Sequence, residues 1–347
     1  MNILIVKLSA IGDAIHTLPA LNAIRKKYPE AHITWLVEEA AYGIIKGHKE
    51  LDRIIVSKRK TWLKGLIGSL CLKNIREICG FIKQLRDTEY DIILDFQALL
   101  KSGILIGLAK GKRKIGFGKG MQHQEHSYIF LNECVPPVDM EIHALTRGMM
   151  LLEAIGISSN EIKYNIYISD EDNKKADNLL MQGNIKEPRL LVAINPVAKW
   201  ETKLWDNTKF ARLADSIIKQ YNARLFFTGS TEDRELILNI ISMMKCKAYN
   251  LAGMTSLKTL AAVYKKTDFV VSTDTGPMHL AAAVGTPVVA LFGPTAPWRT
   301  GPFGTDHQII RTDIKCSPCF KRQCDTIDCM KQISVEQVLN GVKRLGL

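Results

Sequence analysis

The sequence contains no apolar run of the length a membrane-spanning helix requires, about 18 residues or more. No transmembrane segment is therefore expected. Its start carries Lys7 but no basic leader region, and its first apolar run, Ile3 to Val6, has the length of a strand. Without a secretion signal, a cytoplasmic location is expected. A G-x-G-x-x-G fingerprint and a Walker A loop are both missing. Their absence counts against a nicotinamide-dependent dehydrogenase and against a P-loop ATPase. Cys316, Cys319, Cys324 and Cys329 are gathered in "CSPCFKRQCDTIDC", which matches no standard zinc spacing closely. No nucleic-acid recognition motif accompanies the basic runs.

What is present is length, positive charge and a repeated plan. A chain of 347 residues suits two domains, and 46% hydrophobic content suits well-filled cores. The net charge of +12 suits an anionic partner: a nucleic acid, a membrane surface, or a substrate carrying phosphates or carboxylates. Lys58, Arg59, Lys60 and Lys64 surround Trp62, Leu63, Leu66 and Ile67. An interfacial helix uses that mixture on anionic lipid. A second basic run, "AKGKRKIGFGKG", holds Lys110, Lys112, Arg113, Lys114 and Lys119 and reads as a loop. A solvated surface is the plain alternative for either run.

Strand and helix signals alternate along both halves. Ile3–Val6, residues 32–38, 53–57 and 90–96 read as strands, with helices near 16–27 and 72–86. The plan repeats with strands at 189–195, 223–229, 248–253, 268–273 and 287–293 and helices between them. That alternation implies α/β architecture with parallel sheets covered on both faces. The expected division is residues 1–165, residues 166–332, and a closing helix within 333–347 that packs back on the first domain. Ligands in such sheets bind at the carboxyl ends of the strands, which singles out loops 7–16, 96–103, 195–205, 228–233 and 273–279.

Those loops are chemically unusual. In "VVSTDTGPMHLAAAVGTPVVALFGPTAP" a strand runs into Asp274-Thr275-Gly276, Pro277 suits a first helical turn, and Gly285 suits a stop. The helix start offers free N–H groups to a diphosphate, although Asp274 could simply cap the helix. In "INPVAKWETKLW", Lys199 or Lys203 could neutralise charge on a departing diphosphate. Asp13 follows Gly12 in "KLSAIGDAIHTLPAL". As an N-cap it would put Pro19 inside the helix, so a helix that starts later, or bends, is expected. Lys7, His16, Gln97 and Lys101 lie near other strand ends and suit the sugar acids of an acceptor. Arg113 and Lys114 suit its carboxylates and phosphates. A structural histidine is the plain alternative for His16.

Together, "KLSAIGDAIHTLPAL", "DFQALLKS", "HALTRGMMLLEAIG", "NPVAKWETKLW", "STDTGPMHLAAAVGTPVVALFGPT" and "CSPCFKRQC" resemble family 9 glycosyltransferases, and within them the lipopolysaccharide heptosyltransferases. "WLVEEA" and "DFQALLKSG" resemble the branch that adds the first heptose to Kdo on lipid A. The resemblance runs nearly end to end. It implies a GT-B fold: two Rossmann-like doubly wound domains facing across a cleft, acceptor in the first and nucleotide sugar in the second. It implies inverting transfer from ADP-L-glycero-D-manno-heptose with no catalytic cofactor.

By the same resemblance Asp13 matches the general base and Lys203 the lysine on the donor's phosphate. Asp274, Thr275, Gly276, Pro277, Met278 and His279 match the donor motif. Glu232 or Asp233 falls near the adenosine ribose, and Lys199 joins the donor set. Ala198 and Lys199 replace the paired threonines that some relatives carry. His143 and Arg147 fall in a further family motif. The implied partners are the nucleotide sugar, Kdo-lipid A and the anionic inner-membrane surface at its cytoplasmic face, and no nucleic acid. For the four clustered cysteines a structural zinc, a reduced packed set and an oxidised pair all stay open. Another sugar transferase of the same fold is the alternative function, and a basic nucleic-acid binder with a Cys-rich metal module is the distant one.

Overall fold

The computed structural model describes residues 1–65, 71–121, 125–159, 161–181 and 190–347. They form two units, Met1–Tyr167 and Ile168–Leu347. In the first unit the strands are β1 (Asn2–Val6), β2 (His32–Glu38), β3 (Arg53–Ser57), β4 (Glu89–Asp95), β5 (Lys110–Phe117) and β6 (Glu133–Val135). The helices are α1 (Ile11–Lys27), α2 (Glu39–Ile45), α3 (Arg59–Gly65), α4 (Cys71–Arg86), α5 (Leu100–Leu108) and α6 (Ala144–Leu151). The second unit holds β7 (Leu190–Asn195), β8 (Ala223–Phe227), β9 (Tyr249–Asn250), β10 (Phe269–Thr273), β11 (Val288–Leu291) and β12 (Gln308–Ile310). Its helices are α7 (Asp170–Leu180), α8 (Asn207–Tyr221), α9 (Arg234–Ser242), α10 (Leu257–Lys265), α11 (Gly276–Ala283), α12 (Pro297–Thr300), α13 (Asp328–Lys331) and α14 (Val335–Lys343).

Both sheets are parallel. The first has the order β3-β2-β1-β4-β5-β6 and the second β12-β11-β10-β7-β8-β9. Counted from its own first strand, each is the doubly wound order 3-2-1-4-5-6. In each unit the winding direction reverses beside the first strand, between β1 and β4 and between β7 and β10. Val6 pairs beside Asp95 and Asn195 beside Ser272 at those two points. The loops that follow these four strands are four of the five marked out by the sequence; the fifth, 228–233, follows β8.

The central strands are buried on both faces, which explains their continuous apolar runs: Ile3, Leu4, Ile5 and Val6 have no exposed surface. Helix α1 begins at Ile11, earlier than expected, and carries Pro19 in its interior. An interior proline costs about 3 kcal/mol. Ile15, Leu18, Leu21 and Ile24 are fully buried on the same helix, and each such side chain contributes about 1.5–3 kcal/mol. Packing therefore outweighs the proline.

Three further expectations are corrected. The basic run 110–117 is strand β5, hydrogen-bonded between β4 and β6. Its cations find partners on those neighbours: Lys112 on Asp91 at 2.9 Å and Arg113 on Glu133 at 2.7 Å. The closing helix α14 buries Val338 and Val342 in the second unit's core beside Ile310 and Val289. It belongs to the unit Ile168–Leu347. Trp62 is buried, not interfacial. Its ring packs on Phe81 at a centroid distance of 5.2 Å, and its Nε1 donates to Glu77 at 3.1 Å. Leu66 and Ile67, read with it as interfacial, lie outside the described residues. Among the described residues no helix is long and apolar enough to cross a membrane.

A buried Trp in such a cluster loses about 3–5 kcal/mol on truncation. Trp62→Ala is expected to lower unfolding stability by that amount in a denaturant titration. A loss under about 1 kcal/mol, the range of exposed positions, would place the indole outside the core.

Candidate active site

In the first unit the loops after β1 and β4 lock together. Gln97 turns its side-chain oxygen back and accepts the backbone N–H groups of Leu8 and Ser9, both at 3.0 Å. Asp95, at the end of β4, is buried and accepts from the N–H groups of Gln97 and Ala98 and from the Ser102 hydroxyl. Burial nevertheless holds its carboxyl above the usual carboxylate range. Lys7 donates to the Phe96 carbonyl at 2.9 Å. Enclosure pushes its ammonium down from the usual lysine value, and Asp13 and Asp95 partly restore it.

Asp13 lies in the first turn of α1, where its Oδ2 accepts the Ala10 N–H at 2.7 Å. The carboxylate therefore does cap the helix start, but from inside the first turn. Among the described residues Oδ1 makes no hydrogen bond, and Asp13 lines a cavity of about 210 Å³. Lys7, His16, Thr17, Phe96, Gln97 and Arg147 are among the other walls. Arg147 is braced by the Met140 carbonyl at 2.7 Å. His16 is buried edge-to-face against His143, and His143 caps α6 through the Leu145 N–H. One carboxylate thus faces a pocket walled by two cations, a combination suited to an acidic sugar whose hydroxyl must lose a proton.

The other acceptor candidates are not in this cavity. Lys101 donates to the Ser9 hydroxyl at 2.6 Å and to Glu38 at 3.2 Å, bracing the loop before Asp13. Glu38 also pairs with Arg59 at 3.3 Å. Arg113 is committed to Glu133 through two nitrogens and to the Ala154 carbonyl. Lys114 sits beside it on β5, its ammonium lowered by burial.

In the second unit Lys203 sits in a short turn (Glu201–Lys203) after β7. Its Nζ meets Asp274 Oδ2 at 2.6 Å and lies 4.4 Å from the centre of the Trp200 ring. The Thr295 hydroxyl donates to the same Asp274 oxygen at 2.6 Å. Asp274 is 6% exposed and Lys203 15%, so this is a largely desolvated pair at the end of β10. Thr275 precedes α11, with Gly276 and Pro277 opening it. No side chain caps α11; Pro277 brings no N–H to its start, and the Met278 N–H donates to the Thr275 carbonyl at 3.1 Å. Met278 is fully buried and His279 nearly so, so both line the core side of the helix. Lys199 is exposed on the approach to Lys203, and Glu232 is exposed on the loop after β8. Asp233 instead ties that loop by accepting the Ser230 N–H and hydroxyl, both at 2.7 Å. Asp274 is therefore a holder of Lys203, a role its motif alone does not reveal.

Thr295, Trp200 and Glu38 were missed by the sequence reading. Thr295 and Glu38 carry no local signal, since their partners are remote in sequence. Trp200 stood beside two lysines and could have been read as their ring partner. The four clustered cysteines are all free thiols among the described residues. They line one small cavity of about 20 Å³ together with Thr202.

The model of glycosyltransferase family 9 (heptosyltransferase) matches residues 78–329. The chain belongs to this family. It is a glycosyltransferase, and the relatives extend the match nearly to its ends. The lipopolysaccharide core heptosyltransferase OpsX of Haemophilus influenzae is 30% identical over 99% of this chain and 96% of its own length. Lipopolysaccharide heptosyltransferase 1 of Pseudomonas aeruginosa is 29% identical over 93% and 87%. Among solved structures, the E. coli heptosyltransferase WaaC with ADP superposes with a TM-score of 0.80 at 24% identity, covering 99% and 100% of the two chains. That likeness gives this family 9 chain the GT-B fold.

Removing one member of a largely buried ion pair costs about 3–5 kcal/mol, because the other charge is left stranded. Lys203→Ala is expected to destabilise the protein by roughly 3 kcal/mol. Combining it with Asp274→Asn should recover part of that loss. Losses that simply add within about 0.5 kcal/mol in a double-mutant unfolding cycle would show that the two side chains are not coupled.

Proposed function

We propose that this family 9 enzyme moves L-glycero-D-manno-heptose from ADP-heptose to a Kdo hydroxyl of lipid A in the lipopolysaccharide inner core, with inversion at the anomeric carbon. The observation that carries the reading is the Asp13 carboxylate in a cavity walled by Lys7 and Arg147 at the sheet's switch point. The relatives' names support heptose as the sugar and lipopolysaccharide as the acceptor.

In the proposed step Asp13 Oδ1 accepts the proton of the acceptor hydroxyl. The hydroxyl oxygen bonds to the heptose anomeric carbon as the bond to the ADP phosphate oxygen breaks on the opposite face. ADP is already a competent leaving group, so one carboxylate suffices where inverting glycosidases need two. Lys203 and the Gly276 N–H at the start of α11 would take up the charge on the departing diphosphate. Lys7 and Arg147 would hold the Kdo carboxylate. In this proposal no cofactor takes part in the step.

The acceptor is a lipid, and α3 and α4 supply a surface suited to it. Leu63, Leu72 and Ile75 are exposed there at 53%, 84% and 45%. Lys58, Lys60, Lys73 and Arg76 are exposed beside them. Apolar side chains among cations fit an anionic leaflet without crossing it. We assign this surface to peripheral attachment on the cytoplasmic side of the inner membrane.

Release of ADP from ADP-heptose tests the transfer, with Kdo-lipid A compared with Kdo-lipid A already bearing one heptose. Release that depends on the unheptosylated acceptor is expected. Release only with the heptosylated acceptor would make this the enzyme of a later step, and none with either would remove the acceptor assignment. Sedimentation with vesicles tests the surface. Binding to anionic but not zwitterionic lipid at low salt is expected, weakened in a Leu72→Asp, Ile75→Asp variant; equal binding by that variant would move the membrane contact elsewhere.

A further inference from the structure

Lys203 is already paired before any donor arrives. Its ammonium meets the Asp274 carboxylate at 2.6 Å, so the two together carry no net charge. A sugar nucleotide bears a negative charge on each phosphate, and its diphosphate gains another as the bond to the sugar breaks. The Gly276 N–H at the start of α11 offers only a partial charge against it. Holding such an anion therefore calls for a further, uncommitted cation beside Lys203.

Arg322 has that position. Its guanidinium lies 5.0 Å from the centre of the Trp200 ring, and the Lys203 ammonium lies 4.4 Å from the same centre. One half-buried indole thus holds both positive groups. Among the described residues no carboxylate pairs with Arg322, and its side chain is exposed. Lys199, exposed on the same approach, has no ring or carboxylate to hold it among the described residues.

The chain leading to Arg322 is fixed, although it belongs to no helix or strand. The Pro294 carbonyl accepts the N–H groups of Cys319 and Phe320 at 3.0 and 2.8 Å. The Phe320 ring lies 4.6 Å from the guanidinium of the buried Arg299. Phe320 has a left-handed backbone, with φ at 55°, which an aromatic residue keeps only where its surroundings impose it. One residue on, the Lys321 carbonyl accepts the hydroxyl of buried Thr202 at 2.8 Å. The residue before Arg322 is thus tied to the residue before Lys203, and both side chains reach one ring. Support of this kind aims a side chain with small error.

We propose that Arg322 is a second phosphate-binding cation of the donor site, held on the Trp200 ring beside Lys203, and that it supplies the positive charge the Lys203–Asp274 pair lacks. A guanidinium can face an indole and still offer its in-plane N–H groups to a phosphate through two nitrogens. The charge that grows on the departing diphosphate then meets a full cation. The assignment rests on the donor reading given above.

The test titrates ADP into the full chain and into its Arg322→Gln and Arg322→Lys variants, at low salt and at about 1 M salt, where the screening length is about 3 Å. Unfolding midpoints are measured alongside. In Arg322→Gln the ADP affinity is expected to fall roughly tenfold at low salt, the scale of one hydrogen bond to a charged group. That gap is expected to narrow at high salt. Arg322→Lys keeps the charge and is expected to stay within a few-fold of the parent, with the midpoints of both variants unchanged. Parent-like ADP affinity in Arg322→Gln at low salt would overturn the assignment. A loss of equal size at both salt concentrations, with a lowered midpoint, would also overturn it, because that is the mark of a structural role. Arg322→Lys as weak as Arg322→Gln would overturn charge as the reason. No ADP binding by the parent chain would overturn the donor reading, and this assignment with it.

Discussion

In a parallel sheet wound outward in both directions from its first strand, neighbouring crossovers at the reversal leave on opposite faces. The loops above those two strands splay apart, and a crevice opens that no helix covers. Both units of this chain have that order. The constraint decides where chemistry can sit before any side chain is chosen. In the first unit the crevice lies above β1 and β4 and is lined by Lys7, Asp13, Phe96 and Gln97. In the second it lies above β7 and β10, where Lys203 meets Asp274.

Within those crevices the side chains that hold others in place matter as much as those aimed at substrate. Gln97 spends its carbonyl oxygen on the loop before Asp13. Lys101, through Ser9 and Glu38, braces the same loop. Asp274, gripped by Thr295, sets the position of Lys203. Rigid support of this kind is what allows one carboxylate and one ammonium to be aimed with small error. Other residues of the family motifs are themselves held by the scaffold: Met278 is buried in the core, and Asp233 closes its own loop.

The alternation of apolar runs and helical periods made the two doubly wound units legible, down to β2 and β3 with their observed ends. Legibility failed where charge or long-range packing set the outcome. Strand β5 reads as a basic loop because its outer half is lysine and arginine, while its ladders with β4 and β6 and the burial of Ile115 and Phe117 make it a strand. Trp62 reads as interfacial among its lysines, while its ring is claimed by Phe81 and Glu77. The early start of α1 was hidden because its cap comes from Asp13 inside the first turn and Pro19 is outweighed by burial. The positions of Asp13, Lys203 and Asp274 were readable from motif and loop. That Asp274 serves Lys203 was not, since the two lie far apart in sequence.

The central claim is that Asp13 is the proton acceptor rather than only a helix cap. Asp13→Asn separates the two, because an amide oxygen can still accept the Ala10 N–H while the group no longer takes a proton. Single-turnover heptose transfer, measured beside ADP affinity and unfolding midpoint, decides it. The account predicts that transfer falls by about 10²–10⁴, the usual contribution of a general base, with affinity and midpoint unchanged. Transfer within a few-fold of the parent enzyme would contradict it.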